Sequence, residues 1–472
     1  MPQSIATNTL VAIVGRVVQV ALGFAVLAAL TRFLGEEAFG QYAAVLAYGS
    51  LVLIGADLGL YLTLTRRVGQ EPKSASTLLS DITWIRLVSL FAAFFLGSLF
   101  LPVFPILKNT LGVFWIAAAG FAAQSLSQLL MGVFQARASL WRASVGDLVG
   151  RFVQLGVVLG APYVAVSLFP RVHVALMVFA FTAGTVAAAL AHLHFLPLRF
   201  RLHLPPNSSR VREILAESWP AAALLALNAV YFRVDILILS FFRPESEVGL
   251  YGLAYRIIES ALFLPAAFGG LLLPRLSEGS SLPTALFRES LYMVTLIGSG
   301  VSLLLALLAA PIIHFLSGDS FAGTAPLLAI LSLALFVMFL GNLFGFTLVA
   351  RGRVRSLMWL YAGLVIFNVI ANLLTIPRYG ALAAAVVTVA TEVLAAAIAA
   401  ILAYRLAPYT FSSTFFAKLI IVLLATTGGT LILPDSWHVV AQAFIAAGIF
   451  GGMSFALKLF DPKEIRTLLA KP

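Results

Sequence analysis

Long apolar runs, separated only by short clusters of charge, proline and turn residues, constrain this chain more than any other feature. Split at those clusters, the sequence reads as about fourteen runs: 8–30, 38–65, 82–101, 111–133, 143–168, 172–196, 214–242, 248–274, 287–313, 322–350, 356–376, 380–404, 414–433 and 438–459. A hydrocarbon layer about 30 Å thick takes about 20 apolar residues as helix, and it offers no water to unpaired backbone groups. Each run therefore reads as a membrane-spanning helix. The alternating ten-residue strands of a membrane barrel are absent. The expected class is an all-α integral membrane protein with about 14 transmembrane helices. With 61% hydrophobic and 10% charged residues, the chain is far from the roughly 25% charged of a soluble domain. The opening MPQSIATNTLVAIVGRVVQV lacks a basic leader and carries Arg16 inside its apolar run, so it reads as the first span rather than a cleaved signal.

A net charge of +11 on a soluble protein would suggest a nucleic-acid partner, but here the placement of the charge decides its meaning. With the N-terminus in the cytoplasm, the even-numbered loops and the C-terminal tail hold 20 basic residues, among them Arg66, Arg67, Arg137, Arg142, Arg210, Arg212, Arg275, Arg351, Arg353 and Arg355. The odd-numbered loops hold five: Arg32, Lys108, Arg171, Arg243 and Arg378. That asymmetry is the positive-inside pattern of a multi-pass protein of the cell membrane with both termini cytoplasmic. No nucleic acid is expected. The absence of cysteine excludes a disulfide framework and a thiolate nucleophile. His173, His192, His194, His203, His314 and His438 show no metal-ligand spacing, so neither a metal site nor a cofactor is expected.

The chain also repeats itself. Gly40-Gln-Tyr42 is followed by Arg66, and Gly249-Leu-Tyr251 by Arg275; Ala136-Arg137 and Ala350-Arg351 recur at a similar offset and lead to Pro162 and Pro377. An even number of spans per repeat gives two halves of the same orientation, related by a pseudo-twofold axis along the membrane normal. The expected organisation is a six-helix lobe over 1–200, a basic cytoplasmic linker over 201–213 and a second six-helix lobe over 214–406. Two further helices and a cytoplasmic tail fill 407–472.

Several motifs resemble a known family. Thr31 to Ala43 reads TRFLGEEAFGQYA and Ala56 to Leu60 reads ADLGL; VDILILSFF, EVGLYGLAYRI and LLLPRLSE follow in the second half, then NLLTIPRYGALAAAV from Asn372 to Val386. Their order and spacing resemble the oligosaccharide flippases of the polysaccharide transporter family, in the multidrug/oligosaccharidyl-lipid/polysaccharide exporter superfamily. The resemblance implies movement of a polyprenyl-(pyro)phosphate-linked oligosaccharide from the cytoplasmic to the outer leaflet by alternating access, through a cationic cavity and without covalent chemistry. It also implies membrane lipids and polysaccharide assembly proteins as partners, with sodium or a proton gradient as the coupling ion.

Charges inside spans are costly and usually face a cavity or a partner. Arg16 is about 12 Å from the cytoplasmic end of its span and Asp57, on the next span, about 13 Å from the same side, which lets them meet. Arg233 and Arg256 lie about 14 Å and about 12 Å from the outer ends of theirs. Arginine stays charged and forks onto phosphate oxygens, so Arg16, Arg233, Arg256 and Arg151 are the candidate substrate-binding residues. Asp57, Asp235, Glu259 and Glu392 are candidates for ion coupling or for salt bridges. Arg256 and Glu259, three apart, and Asp147 and Arg151, four apart, sit at spacings that also allow mutual neutralisation. Arg86, about 6 Å from its helix end, is expected to snorkel to the interface. Gly55 and Gly59, four apart, and the alanine-rich run from Ala381 are expected to pack helices closely. Pro220 and Pro265 should bend or break their spans.

Two other functions fit parts of this pattern. A cation-coupled multidrug exporter of the same fold should prefer an acidic or apolar cavity, which the arginines oppose. A polyprenyl-dependent glycosyltransferase or polysaccharide polymerase would need a large outer loop and an acidic catalytic motif, whereas every outer loop here is short and Asp-x-Asp is missing. The expectation is a transporter, not an enzyme.

Overall fold

Glycine and proline decide where the apolar runs break. The computed structural model describes residues 5–71, 74–137, 139–165, 170–198, 201–203, 205–277, 284–406, 412–434 and 437–459. Among these the regular structure is helical: α1 (Ile5–Asp57), α2 (Leu60–Gln70), α3 (Ala75–Phe100), α4 (Leu111–Ala136), α5 (Leu140–Ala165), α6 (Pro170–His194), α7 (Ser208–Phe242), α8 (Glu245–Ala261), α9 (Phe263–Leu276), α10 (Thr284–Leu307), α11 (Ala309–Ser317), α12 (Thr324–Ala350), α13 (Val354–Tyr404), α14 (Ser413–Leu431) and α15 (Val439–Ala456). Lys73, Arg199, Lys463, Arg466 and Lys471, counted among the cytoplasmic charges, lie outside the described residues, as do the side chains of Asn8, Pro162 and Arg171.

Among the described residues, eleven helices are long and apolar enough to cross a membrane. Two of them are double. α1 contains Gly35 at φ 71° and α13 contains Gly380 at φ 58°, left-handed values that L side chains rarely adopt; the first lies in the loop expected between 30 and 38, and the second opens the run expected from 380. Other runs break within their length. The span expected over 248–274 divides at Leu262, three residues before Pro265, and the one over 287–313 divides at Leu308, three before Pro311. In both cases proline lacks the N–H that would bond the carbonyl four residues back. Pro220, by contrast, sits inside α7 without ending it. The span expected over 38–65 breaks at Leu58 and Gly59, both at positive φ.

The chain falls into two compact units, Met1–Gly249 and Leu250–Pro472. In the first, α5 packs along α6 and α1, and α2, α3 and α4 enclose a core of Leu64, Leu79, Ile82, Leu130 and Phe134. The expected linker is strapped to α3: Ser80 Oγ accepts from His203 N at 2.9 Å, Trp84 Nε1 donates to His203 O at 2.7 Å, and Arg210 Nε meets Asp81 at 2.5 Å. Arg66 and Arg67 of α2 grip Glu217 of α7, and Arg67 also meets Glu213 at 2.8 Å. The hydrogen bond from Arg67 holds the Glu217 carboxyl below the usual range, helped by Arg66. This clamp is complete at neutral pH and is lost as pH falls through the lowered value.

The repeated glycines also meet within the first unit. A Cβ on Gly40 would collide with the backbone at Glu245 and Gly249, and one on Gly249 with the backbone at Glu36. Gly40→Val is therefore expected to lower stability by at least about 1–3 kcal/mol, because backbone cannot yield as a side chain can. Gly55→Ala is expected to be tolerated, since nothing lies within 4 Å of its added Cβ. A thermal-unfolding comparison of the two variants in detergent checks this pair. Close packing thus holds for Gly59, whose added Cβ would meet the α7 backbone at Ser218 and Ala222, and not for Gly55.

In the second unit, α12 packs along α13, α10 and α9. The alanine-rich half of α13 buries Ala381, Ala384, Ala385, Ala395, Ala396 and Ala399, as the small-residue pattern implied. α14 and α15 rest on α10: Tyr292 stacks on Phe415 with ring centroids 4.3 Å apart, and Gly300 leaves room for Phe450.

Candidate functional site

Three glycines let α1, α5 and α6 come close enough to gather charge. A Cβ on Gly15 would lie 3.1 Å from Ser144, one on Gly146 would overlap the His192 ring, and one on Gly150 would touch Gly184 and Ala188. Beside these contacts stand Arg16 and Gln19 on α1, Asp147 and Arg151 on α5, and His192 on α6. Arg16 Nη1 donates to Gln19 Oε1 at 3.3 Å, and Gln19 Nε2 donates to Asp147 Oδ2 at 3.1 Å. Arg16, Arg151 and His192 all lie within electrostatic reach of the Asp147 carboxylate. Arg151 Nη1 also donates to Gln154 Oε1 at 2.9 Å. The structure thus brings together two of the four expected binding arginines, Arg16 and Arg151. Arg16 is exposed and Arg151 half-buried.

Asp57 does not join them. Its carboxylate pairs with Arg86 of α3, 2.9 Å away. The reading of Arg86 as a snorkelling residue is wrong: it is 1% exposed, the largest fully buried side chain among the described residues. The physical reason is the break after Asp57. A helix that ends within the membrane leaves carbonyls without partners, and its C-terminus carries partial negative charge. Ala56 O accepts from Ser89 Oγ at 2.8 Å and from Arg86 Nη1 at 3.5 Å. Arg86 therefore caps a broken helix and balances the carboxylate at its end.

The remaining candidates lie elsewhere. Arg233 is half-buried on α7, and Asp235, two residues on, is 3% exposed. Arg256 is exposed on α8 and reaches Glu259 at 3.4 Å, the neutralising geometry that their spacing allowed. Glu392 is buried on α13 within electrostatic reach of Tyr361. Beside it runs a polar ladder in which Asn372 donates to Asn368 at 3.0 Å and Asn368 donates to Thr391 at 3.2 Å. Among the described residues no group of three or more His, Asp and Glu has metal-binding geometry.

Gln19, His192 and the capping role of Arg86 escaped the sequence reading. Gln19 does carry a signal, being three residues after Arg16 on the same face of a helix. His192 was legible only through its distant partner Gly146. Nothing in sequence spacing links Arg86 to Asp57, because the link depends on the break at Leu58.

The sequence model of the family described as polysaccharide biosynthesis protein matches residues 5–280. No curated protein matches the sequence significantly. Among solved structures, an inward closed conformation of the lipid II flippase MurJ superposes with a TM-score of 0.77 at 12% identity, covering 96% of this chain and 99% of that one. The inward-facing conformation of a multidrug resistance MATE family transporter of the MOP superfamily gives 0.62 at 14% identity, covering 82% and 95%. A MOP superfamily transporter from Pyrococcus furiosus, described as having a binding pocket of reversed polarity, gives 0.52 at 15% identity, covering 85% and 96%. At such identities the likeness establishes the fold.

Proposed function

The chain belongs to the polysaccharide biosynthesis protein family, whose sequence model covers more than half of it, and from that premise we propose that it is a flippase for a polyprenyl-(pyro)phosphate-linked oligosaccharide. The observation that carries the reading is the gathering of Arg16 and Arg151 about one carboxylate, on two apolar helices of membrane length. Cations kept at such depth suit an anionic headgroup, which hydrocarbon alone would exclude. Arg233 and Arg256 supply the same chemistry in the second half of the repeat, and arginine forks bidentately onto phosphate oxygens.

In this reading the chain crosses the membrane fourteen times. Splitting α1 at Gly35 and α13 at Gly380 adds two spans to the eleven, and α8 with α9 supplies another. The lobes are residues 1–200 and 214–406, the linker and both termini are cytoplasmic, and the cargo moves outward by alternating access. A sodium or proton gradient drives the cycle, and assembly proteins of the polysaccharide receive the cargo. No bond in the cargo is made or broken. The direct test is transfer of a fluorescent lipid-linked oligosaccharide across the bilayer of vesicles holding the purified protein, with the mass of the cargo unchanged.

A further inference from the structure

Asp147 and His192 have no task in that reading, yet their surroundings are specific. The His192 ring is 1% exposed and fills the space left by Gly146. Its Nε2 lies 2.9 Å from Ala143 O, so Nε2 carries the proton and donates to that carbonyl. Its Nδ1 is buried with no hydrogen-bond partner. That same Nε2 is 3.6 Å from Asp147 Oδ1, beyond hydrogen-bond reach, with its proton committed to the Ala143 carbonyl.

That leaves the arginines. The groups facing the pair are Arg16 and Gln19 from α1, Arg151 from α5 and the Phe134 ring from α4, whose centroid is 5.8 Å from that of His192. Arg142 and His194, on the same two helices, turn to Phe195: Arg142 Nη1 donates to its carbonyl at 3.2 Å, and the His194 ring meets its ring edge-on. Arg16 and Arg151 are also the residues assigned above to the anionic cargo. We propose that Asp147 is a proton-binding site coupled to cargo: its carboxylate and the anionic headgroup compete for Arg16 and Arg151, so the headgroup binds together with one proton on Asp147.

The coupling follows from electrostatics. When an anion takes the arginines, the half-buried Asp147 carboxylate loses its compensating charge, and its neutral form is favoured. By reciprocity, a proton on Asp147 releases the arginines and tightens anion binding. The sign is fixed: the complex holds more protons than the free protein, so affinity weakens as pH rises, by at most about tenfold per pH unit for one proton. The proposal rests on the anion-binding reading, and the experiment separates the two.

The test titrates the full-length protein in phosphatidylcholine nanodiscs with a polyprenyl sugar phosphodiester, whose single negative charge is constant from pH 5 to 8. The wild type should show Kd rising about five- to tenfold over at least one pH unit, with close to one proton taken up per probe bound, read from calorimetry in two buffers. Asp147→Asn should bind with the wild type's low-pH affinity, flat within about twofold, without proton uptake. Binding by the wild type with a flat pH profile and no uptake would overturn the coupling alone, and so would a slope that survives in Asp147→Asn. No binding at any pH would overturn the anion site and the coupling together. The proton count on the wild type needs no variant, so a poorly folding Asp147→Asn leaves the test intact.

Discussion

Export of the proposed glycan cargo should fall below about 1% of wild type when Arg16, Arg233 and Arg256 are all replaced by alanine, while the protein should still reach the membrane. A charge-assisted hydrogen bond contributes about 1.5–3 kcal/mol, so each arginine lost should cost about ten- to a hundredfold. Three together exceed what the remaining contacts can offset. Arginine-to-lysine variants should retain part of the activity, because an ammonium keeps the charge and loses the planar fork. Arg16 should be the most sensitive, since Gln19 holds it in place. Arg256 has the Glu259 carboxylate 3.4 Å away as a competing partner, and its loss should cost less. Surface polysaccharide, quantified against membrane-inserted protein, is the measurement. Unchanged export from the triple variant would remove the basis of the anion site.

Asp57→Ala is the second large effect, and it acts on stability rather than on cargo. It leaves Arg86, 1% exposed, as a buried cation at the end of a broken helix with its charge partner gone. Breaking a buried ion pair from one side costs about 3–5 kcal/mol. Replacing both partners with apolar residues of similar volume, Asp57→Leu with Arg86→Met, should recover part of that loss, because no uncompensated charge remains. The recovery should be incomplete, since Arg86 also donates to Ala56 O. Thermal unfolding in detergent gives the order: wild type, then the double variant, then Asp57→Ala. Should Asp57→Ala unfold like wild type while export stops, Asp57 would belong with the coupling residues and not with the fold.

These two cases show what the sequence could and could not say. Membrane spans were legible because hydrocarbon demands long apolar helices whatever the tertiary structure. The breaks at Gly35, Gly380 and Pro265 were legible because backbone chemistry dictates them locally. Arg16 and Arg151 could be singled out as costly charges, and the four-residue spacing links Arg151 to Asp147, but nothing in the sequence shows that Arg16 joins them, since it belongs to a helix more than a hundred residues away and arrives where Gly15 lets α1 approach Ser144. Arg86 was misjudged for a related reason. Its depth was counted from a helix start at 82, whereas α3 begins at Ala75, and the break at Leu58 and Gly59 opened the Ala56 carbonyl that it caps. Depth along a helix is readable only as well as its ends are; the partner at that depth is not readable at all.

The account stands most directly on whether the purified chain moves its cargo between leaflets. Vesicles reconstituted with the wild type and loaded on one leaflet with a fluorescent polyprenyl-pyrophosphate oligosaccharide should expose close to half of the label to a membrane-impermeant quencher within minutes. Vesicles with the Arg16, Arg233 and Arg256 alanine variant should behave like protein-free ones, and the recovered lipid should be unaltered in mass. Equal exposure in wild-type and protein-free vesicles, or a cargo returned with altered mass, would contradict it.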